Sequence, residues 1–493
     1  MENIRNKRNR KFRTREYYGN SASDYHLLPF RFIELSESKE ILVNEVGESL
    51  IVPRGTALKI AQRCIAENDP IIPDLISRFF ISRKPIPELI DVLATRYRTK
   101  KSFLDSFTSL HIFVLTLRCN HSCHYCQVSR VTENREDFDI SYNDIDLGID
   151  HMFKSPSKKL TIEFQGGEPL LAFDKLEYAI ERITRLNKDF KKELSFVVCT
   201  NATVFNTKNL QFLKEHNVLI STSLDGPEFL HDANRPKTGR NSYQLVLNGI
   251  NYARKMVGHD QVSALMTTTR LSLDYPIEII DNYLENGFNN IFLRPISPYG
   301  FALKNKTKNI YDDKKFLEFY KKGLDHIIKI NQRGRYFVED YTAILLKKIL
   351  TPFCTNYVDL QSPSGIINNV VVFNYDGRVY ASDESRMLAE RNDLTFLLGH
   401  VSDSYESIFY GKKSKELSKY WSNESLAGCS DCAFQSYCGA DPVYHYASQG
   451  DFEGFRPTSG FCLKNMGIIK HLFELMDFRK EEVMPIFISW ISN

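Results

Sequence analysis

The chain has 493 residues, 25% charged and 42% hydrophobic, with 64 Lys and Arg against 61 Asp and Glu and a net charge of +3. That length exceeds one core and sets an expectation of about three domains; the near-balanced charge singles out no polyanionic partner, and no apolar run reaches the length of a membrane span. Ten cysteines and a basic start without an apolar run behind it suggest a reducing, cytoplasmic setting, in which clustered thiols point to metal or iron–sulfur ligation rather than disulfides.

Residues 1–24 read as a basic tail. The stretch "RNKRNRKFRTR" (5–15) holds seven Lys and Arg, the pattern of a solvated segment, with an arm for nucleic acid or an acidic peptide as the alternative. Residues 25–104 read as a small α+β module. Its expected strands are "FRFIEL" (30–35) and "ILVNEVGESLIV" (41–52), the latter with a turn at Asn44–Gly47. Thr56 is expected to cap a helix whose apolar face is Leu58, Ala61, Cys64 and Ile65, with Cys64 a core residue. A second helix is expected from about Pro87, with Leu89, Ile90, Leu93, Ala94 and Tyr97 at helical spacing.

Over 105–335 apolar strands alternate with amphipathic helices. The strands are "HIFVLTL" (111–117), "LTIEF" (160–164), "SFVVC" (195–199), "VLISTSL" (218–224), "VSALMTT" (262–268) and "NIFLRP" (290–295). Leu170, Phe173, Leu176, Ile180 and Ile183 show the helical spacing between two of them. Six β/α repeats predict a partial (β/α)6 barrel with right-handed crossovers and a ligand site at the strands' C-terminal ends. The polar signals fall at those ends. "LRCNHSCHYC" (117–126) follows the first strand, "QGGEP" (165–169) the second and "TNAT" (200–203) the third. "SLDGP" (223–227) and "RPISP" (294–298) close two others. Cys199 lies inside a strand and reads as core.

Cys119, Cys123 and Cys126 stand at spacing C-x3-C-x2-C. Three thiolates hold three irons of a [4Fe–4S] cube and leave the fourth open to a substrate or cofactor, whereas a structural zinc site asks for four ligands. The two glycines of "GGEP" allow close approach of backbone to a bound molecule, and Glu168 offers a carboxylate to an ammonium group.

These motifs, with the aromatic Tyr125 before the last cysteine, resemble the radical S-adenosylmethionine (radical SAM) enzymes over roughly residues 108–330. The resemblance implies that Cys119, Cys123 and Cys126 ligate a [4Fe–4S] cluster. Gly166, Gly167 and Glu168 would bind the methionyl amine of S-adenosylmethionine, Tyr125 would pack near adenine, Ser223 would contact ribose and Arg235 would meet the methionyl carboxylate. It also implies cofactor cleavage to a 5′-deoxyadenosyl radical that abstracts hydrogen. "SLDGPEFLHDANRPKTGRNSY" (223–243) resembles the branch that modifies peptides and carries a C-terminal SPASM domain.

In that branch's pattern Cys429, Cys432, Cys438 and Cys462 ligate one auxiliary [4Fe–4S] cluster. The positions for a second are occupied by Ser382 and Pro442, with Cys354 alone. One auxiliary cluster is therefore expected, in a SPASM-like domain over 336–480, with 481–493 as a C-terminal tail. Asp383 follows the lost cysteine position and is implied as the catalytic base; a turn or helix start is the plainer reading. Across most of the chain the resemblance is to the His-Xaa-Ser system radical SAM maturase. This implies a precursor peptide or small protein with His-Xaa-Ser repeats, a second radical SAM maturase and an external electron donor as partners. Residues 25–104 would then recognise the precursor. A radical enzyme acting on RNA, an iron–sulfur electron carrier and a zinc-stabilised scaffold are the other readings of the same residues.

Overall fold

The computed structural model describes residues 25–492 except 85, 127, 129, 133, 134, 240 and 356; the basic stretch 5–15 lies outside the described residues. The chain divides into two units, one ending at Tyr97 and the other starting at Arg98.

In the first unit, strands β2 (Phe30–Glu34), β3 (Lys39–Asn44) and β4 (Ser49–Pro53) form an antiparallel sheet in that order. The turn falls where expected, with Asn44 Oδ1 accepting from the backbone N–H of Val46 and Glu48 at 3.1 and 2.9 Å. Strand β1 (His26–Leu27) pairs with β5 (Ile81–Ser82), and Leu42, Val52, Ile60, Leu75 and Phe80 are the core. Two expectations are corrected. Thr56 does not cap the helix Thr56–Ala61: the cap position is Gly55 at φ 88°. The buried Glu40 supplies the acceptors a cap would, taking the N–H of Gly55 (3.1 Å) and Ala57 (2.6 Å). The buried face is then Thr56, Ala57 and Ile60, and Leu58 is exposed. Arg63 turns the chain at φ 59°, so the helical period never reaches Cys64, which is exposed rather than core. The helix Pro87–Lys100 forms, with Leu89, Leu93 and Ala94 half-buried, but Ile90 and Tyr97 of its expected apolar face are exposed.

The second unit is built on an eight-stranded sheet. Five strands are parallel neighbours: β6 (Leu110–Thr116), β7 (Lys159–Gly166), β8 (Glu193–Cys199), β9 (Leu219–Ser223) and β10 (Val262–Leu265). The helix Phe173–Phe190 buries Leu176, Ala179, Ile180 and Ile183, the apolar stripe of its sequence. The sixth expected strand is only β11 (Asn290–Ile291), paired with β12 (Val338–Glu339) in a separate ribbon. Pro295 and Pro298 follow it and bring no N–H to a ladder. The link to β10's extension is one backbone bond, Thr268 N–H to Arg294 O at 2.8 Å. On the other edge β13 (Val370–Phe373) runs parallel to β6, followed by antiparallel β14 (Arg378–Tyr380) and β15 (Leu397–His400). The cysteine-rich C-terminal region thus extends the same sheet. Residues 481–493, expected as a tail, lie largely in the helix Lys480–Ile491, which buries Val483, Phe487 and Trp490. The architecture is a partial β/α barrel with a small α+β N-terminal module and a cysteine-containing C-terminal region.

Candidate active site

A cavity of about 540 Å³ opens at the C-terminal ends of β6 to β10, the end of a parallel sheet where helix starts and strand-end loops meet. Its walls include Cys119, Cys123, Tyr125 and Cys126 after β6, Gly166 and Gly167 after β7, Ser223 at the end of β9, Arg235, and Asp383 from the C-terminal region. Residues spread over more than 260 positions of sequence are thereby brought to one space.

The neighbouring backbone requires both glycines. A Cβ on Gly166 would sit 2.1 Å from Thr116 O, and one on Gly167 would sit 2.2 Å from Arg118 O. The glycines let the loop after β7 lie against the backbone of the cysteine loop, with Gly167 N–H donating to Thr116 O (2.8 Å) and Glu168 N–H to Arg118 O (2.7 Å). The Glu168 carboxylate is fully buried and accepts from Thr200 Oγ1 (2.7 Å), Asn201 N–H (2.7 Å) and Leu170 N–H (3.1 Å). Burial lifts this carboxyl to about 7 against those donors. The side chain thus braces the β7 loop to the β8 loop. Asn120 continues the brace, donating to Thr203 Oγ1 (3.0 Å) and accepting from Asn201 Nδ2 (2.8 Å). The cysteine loop is held on its far side by Ser122 N–H to Pro236 O and Phe301 N–H to Cys126 O, both 2.8 Å.

Tyr125 and Arg235 meet on a carboxylate the motif reading passed over. Asp225, fully buried, accepts from Tyr125 Oη (2.7 Å) and Arg235 Nε (3.0 Å), and the guanidinium lies 5.2 Å from the Tyr125 ring centre. Burial opposes the charge of Arg235, but Asp225 and Tyr125 raise it above the usual arginine value. Arg130 adds a second cation to the wall, and its Nε has no hydrogen-bond partner among the described residues. Glu163, Asp383 and Glu384 also line the cavity. Glu163 interrupts the apolar run "LTIEF", and that polar break was the signal for it. Its carboxylate accepts from Cys199 Sγ at 3.3 Å, so Cys199, expected as core, sits in the cavity wall. Asp383 opens the helix Asp383–Ala389 behind the cap Ser382 and pairs with buried Arg386 at 3.3 Å. Burial, with Asp359 and Asp383 nearby, lifts Glu384 to about 8.

Residues 113–283 match the radical SAM superfamily. Among relatives, the serine-type anaerobic sulfatase-maturating enzyme of Bacteroides thetaiotaomicron is 26% identical over 395 residues, 74% of this chain and 89% of that protein. Native anSMEcpe with bound AdoMet and Cp18Cys peptide superposes with a TM-score of 0.62 at 18% identity, covering 76% of this chain and 99% of that one. Streptococcus suis SuiB bound to precursor peptide SuiA gives 0.51 at 15% identity, covering 88% and 98%. These two structures share the fold.

Cys119, Cys123 and Cys126 bring three thiols to the cavity wall. Burial, then Glu168, pushes the Cys119 thiol above its ordinary value, and burial pushes Cys123 up to about 12. Thiolates in such a place need a strong positive partner, which is what a metal cluster brings. Three thiols from one loop at one cavity are a donor set for three irons of a cube. The donor set fits the cluster.

A second group of thiols lies outside this cavity. Cys429, Cys432, Cys438 and Cys462 act on one another electrostatically, and burial pushes Cys438 to about 12 and Cys462 to about 11. Arg456 Nε donates to Cys429 Sγ at 2.9 Å, and Asn465 Nδ2 to Cys438 Sγ at 3.9 Å. Four thiols, two of them accepting from N–H donors, also fit an iron–sulfur cluster. Cys354 instead stands against Ser102 Oγ at 3.3 Å. The two positions lacking further thiols begin helices: Ser382 is the cap of Asp383–Ala389, and Pro442 is the first residue of Pro442–Gln449.

Proposed function

We propose that the protein is a radical SAM maturase that modifies a ribosomally made peptide or small protein, of the His-Xaa-Ser type, in the cytoplasm. The observation that carries this reading is the convergence of Cys119, Cys123 and Cys126 with the Gly166–Gly167 loop and a set of carboxylates on one cavity. SuiB holds a precursor peptide and anSMEcpe a peptide beside AdoMet, which supports a peptide substrate here. Among the described residues no helix is long and apolar enough to cross a membrane.

In this reading Cys119, Cys123 and Cys126 hold a [4Fe–4S] cluster, and Cys429, Cys432, Cys438 and Cys462 an auxiliary one. When bound, the first cluster and S-adenosylmethionine supply a 5′-deoxyadenosyl radical that takes hydrogen from the substrate. The chain's own contribution is position. Gly166 and Gly167 receive the methionyl amine through their backbone, with Glu168 fixing the loop from behind. Arg235, oriented by Asp225, meets the methionyl carboxylate with Arg130 as the neighbouring cation; Tyr125 flanks adenine and Ser223 the ribose. Asp383, held by Arg386, takes a proton from the substrate. In the first unit, among the described residues, β2 and β4 each pair only with β3, and such an edge suits capture of a precursor by strand addition. A second radical SAM maturase and an external electron donor complete the system.

The test is incubation of anaerobically reconstituted protein with S-adenosylmethionine, reductant and a peptide of His-Xaa-Ser repeats. The reading expects 5′-deoxyadenosine and a peptide of changed mass. Cofactor cleavage with no mass change in any such peptide would remove the His-Xaa-Ser assignment.

A further inference from the structure

A second cavity, about 330 Å³, adjoins the first. The two share Phe292, Arg294, Tyr357, Asp359 and Glu384 in their walls. Four carboxylates from four separate segments face into the second: Asp313, Asp359, Glu384 and Asp441. The cations in its wall are Arg294 and Lys464, and the Lys464 ammonium stands over the rings of Tyr341 and Phe461, at 5.6 and 5.5 Å. The chamber therefore carries an excess of negative charge.

A separate observation points to a ligand. Tyr299 is 1% exposed and lies in the chamber wall, yet its hydroxyl has no hydrogen-bond partner among the described residues. The charges that act on it are those of Asp441, Glu384 and Asp359. A buried hydroxyl left without a partner is costly, and an incoming N–H would satisfy it. The rest of the wall is largely aromatic, and ring faces, like carboxylates, attract cations. The width depends on Gly460, where a Cβ would come within 2.5 Å of Tyr444 Oη and 2.7 Å of Asp313 Oδ2.

We propose that this chamber seats a cationic side chain of the peptide substrate, a lysine, an arginine or an imidazolium, and so positions the neighbouring backbone in the main cavity. The proposal rests on the peptide reading above, and its test does not. Full-length, anaerobically reconstituted protein is titrated calorimetrically with the N-acetyl methylamides of lysine, arginine, norleucine and glutamate. The lysine and arginine probes bind at least tenfold more tightly than norleucine, and glutamate binds most weakly. At pH 9, where Glu384 is charged, Glu384→Gln and Tyr299→Phe each weaken the lysine probe severalfold and leave norleucine unchanged, with melting temperatures near wild type confirming the fold. Equal affinity for lysine and norleucine in the wild-type protein, tighter binding of glutamate, or a cation preference untouched in the folded variants overturns the proposal. Failure of peptide modification with the cation preference intact instead refutes the peptide reading alone.

Discussion

Gly167→Ala tests the loop-on-loop geometry that places the three cysteines. The added methyl would lie 2.2 Å from Arg118 O and 2.6 Å from Leu117 O. Both obstacles are backbone, so no rotamer change relieves them. The loop must lift, breaking the bonds from Gly167 N–H to Thr116 O and from Glu168 N–H to Arg118 O. Each is worth about 1 kcal/mol net, and a buried group left unpaired costs about 1–3 kcal/mol, giving roughly 2–4 kcal/mol for the displaced loop. At about 1.4 kcal/mol per tenfold, S-adenosylmethionine affinity falls about 30- to 1,000-fold. Equilibrium dialysis with the reconstituted variant measures this, with circular dichroism to show that the barrel is folded. Wild-type affinity in the folded variant would refute the claim that the glycine pair sets the position of the cofactor loop.

Other outcomes follow from the same geometry. Replacing Cys119, Cys123 and Cys126 together by Ala reduces iron from about eight to about four per chain and abolishes 5′-deoxyadenosine formation; iron assay and chromatography check both. Cys432→Ala also loses about half the iron but still cleaves S-adenosylmethionine, since its thiol lies outside the main cavity, while peptide product falls sharply. Asp383→Asn keeps iron and cofactor cleavage and loses about 100-fold or more of peptide product by mass spectrometry; an unchanged yield moves the base to Glu384. Affinity for the lysine probe rises from pH 7 to 9. Glu384, lifted to about 8, gains its charge over that range, Asp441, at about 6, is already charged, and Lys464, whose pKa burial lowers, changes in the same sense. A flat titration would contradict the chamber's electrostatics.

The parts legible in the sequence were those whose signals are local. Short apolar runs located β6 to β10, and the cysteine triplet, the glycine pair and the Asn44 turn are each recognisable within a few consecutive residues. What escaped notice depended on distant partners. Thr56 looked like a cap because Glu40, sixteen residues earlier, could not be seen to take its place. The sixth strand is cut short by Pro295, at the end of its own expected run, and by Pro298 just beyond it. The loop glycines also accommodate Thr116 O and Arg118 O, a packing demand that the motif itself does not display. Asp225, the joint holder of Tyr125 and Arg235, stood in the quoted "SLDGP" but had no visible partners before folding. The acidic chamber draws on segments from Asp313 to Asp441, and no window of sequence contains it.

The central claim is that Cys119, Cys123 and Cys126 arm a radical SAM site. Its most direct measurement is cofactor cleavage by the anaerobically reconstituted protein, followed by chromatography of the nucleoside product together with iron, sulfide and zinc analysis. The account predicts about eight irons and eight sulfides per chain and 5′-deoxyadenosine formed only with reductant present. A colourless, zinc-loaded, sulfide-free protein that leaves S-adenosylmethionine intact would contradict it.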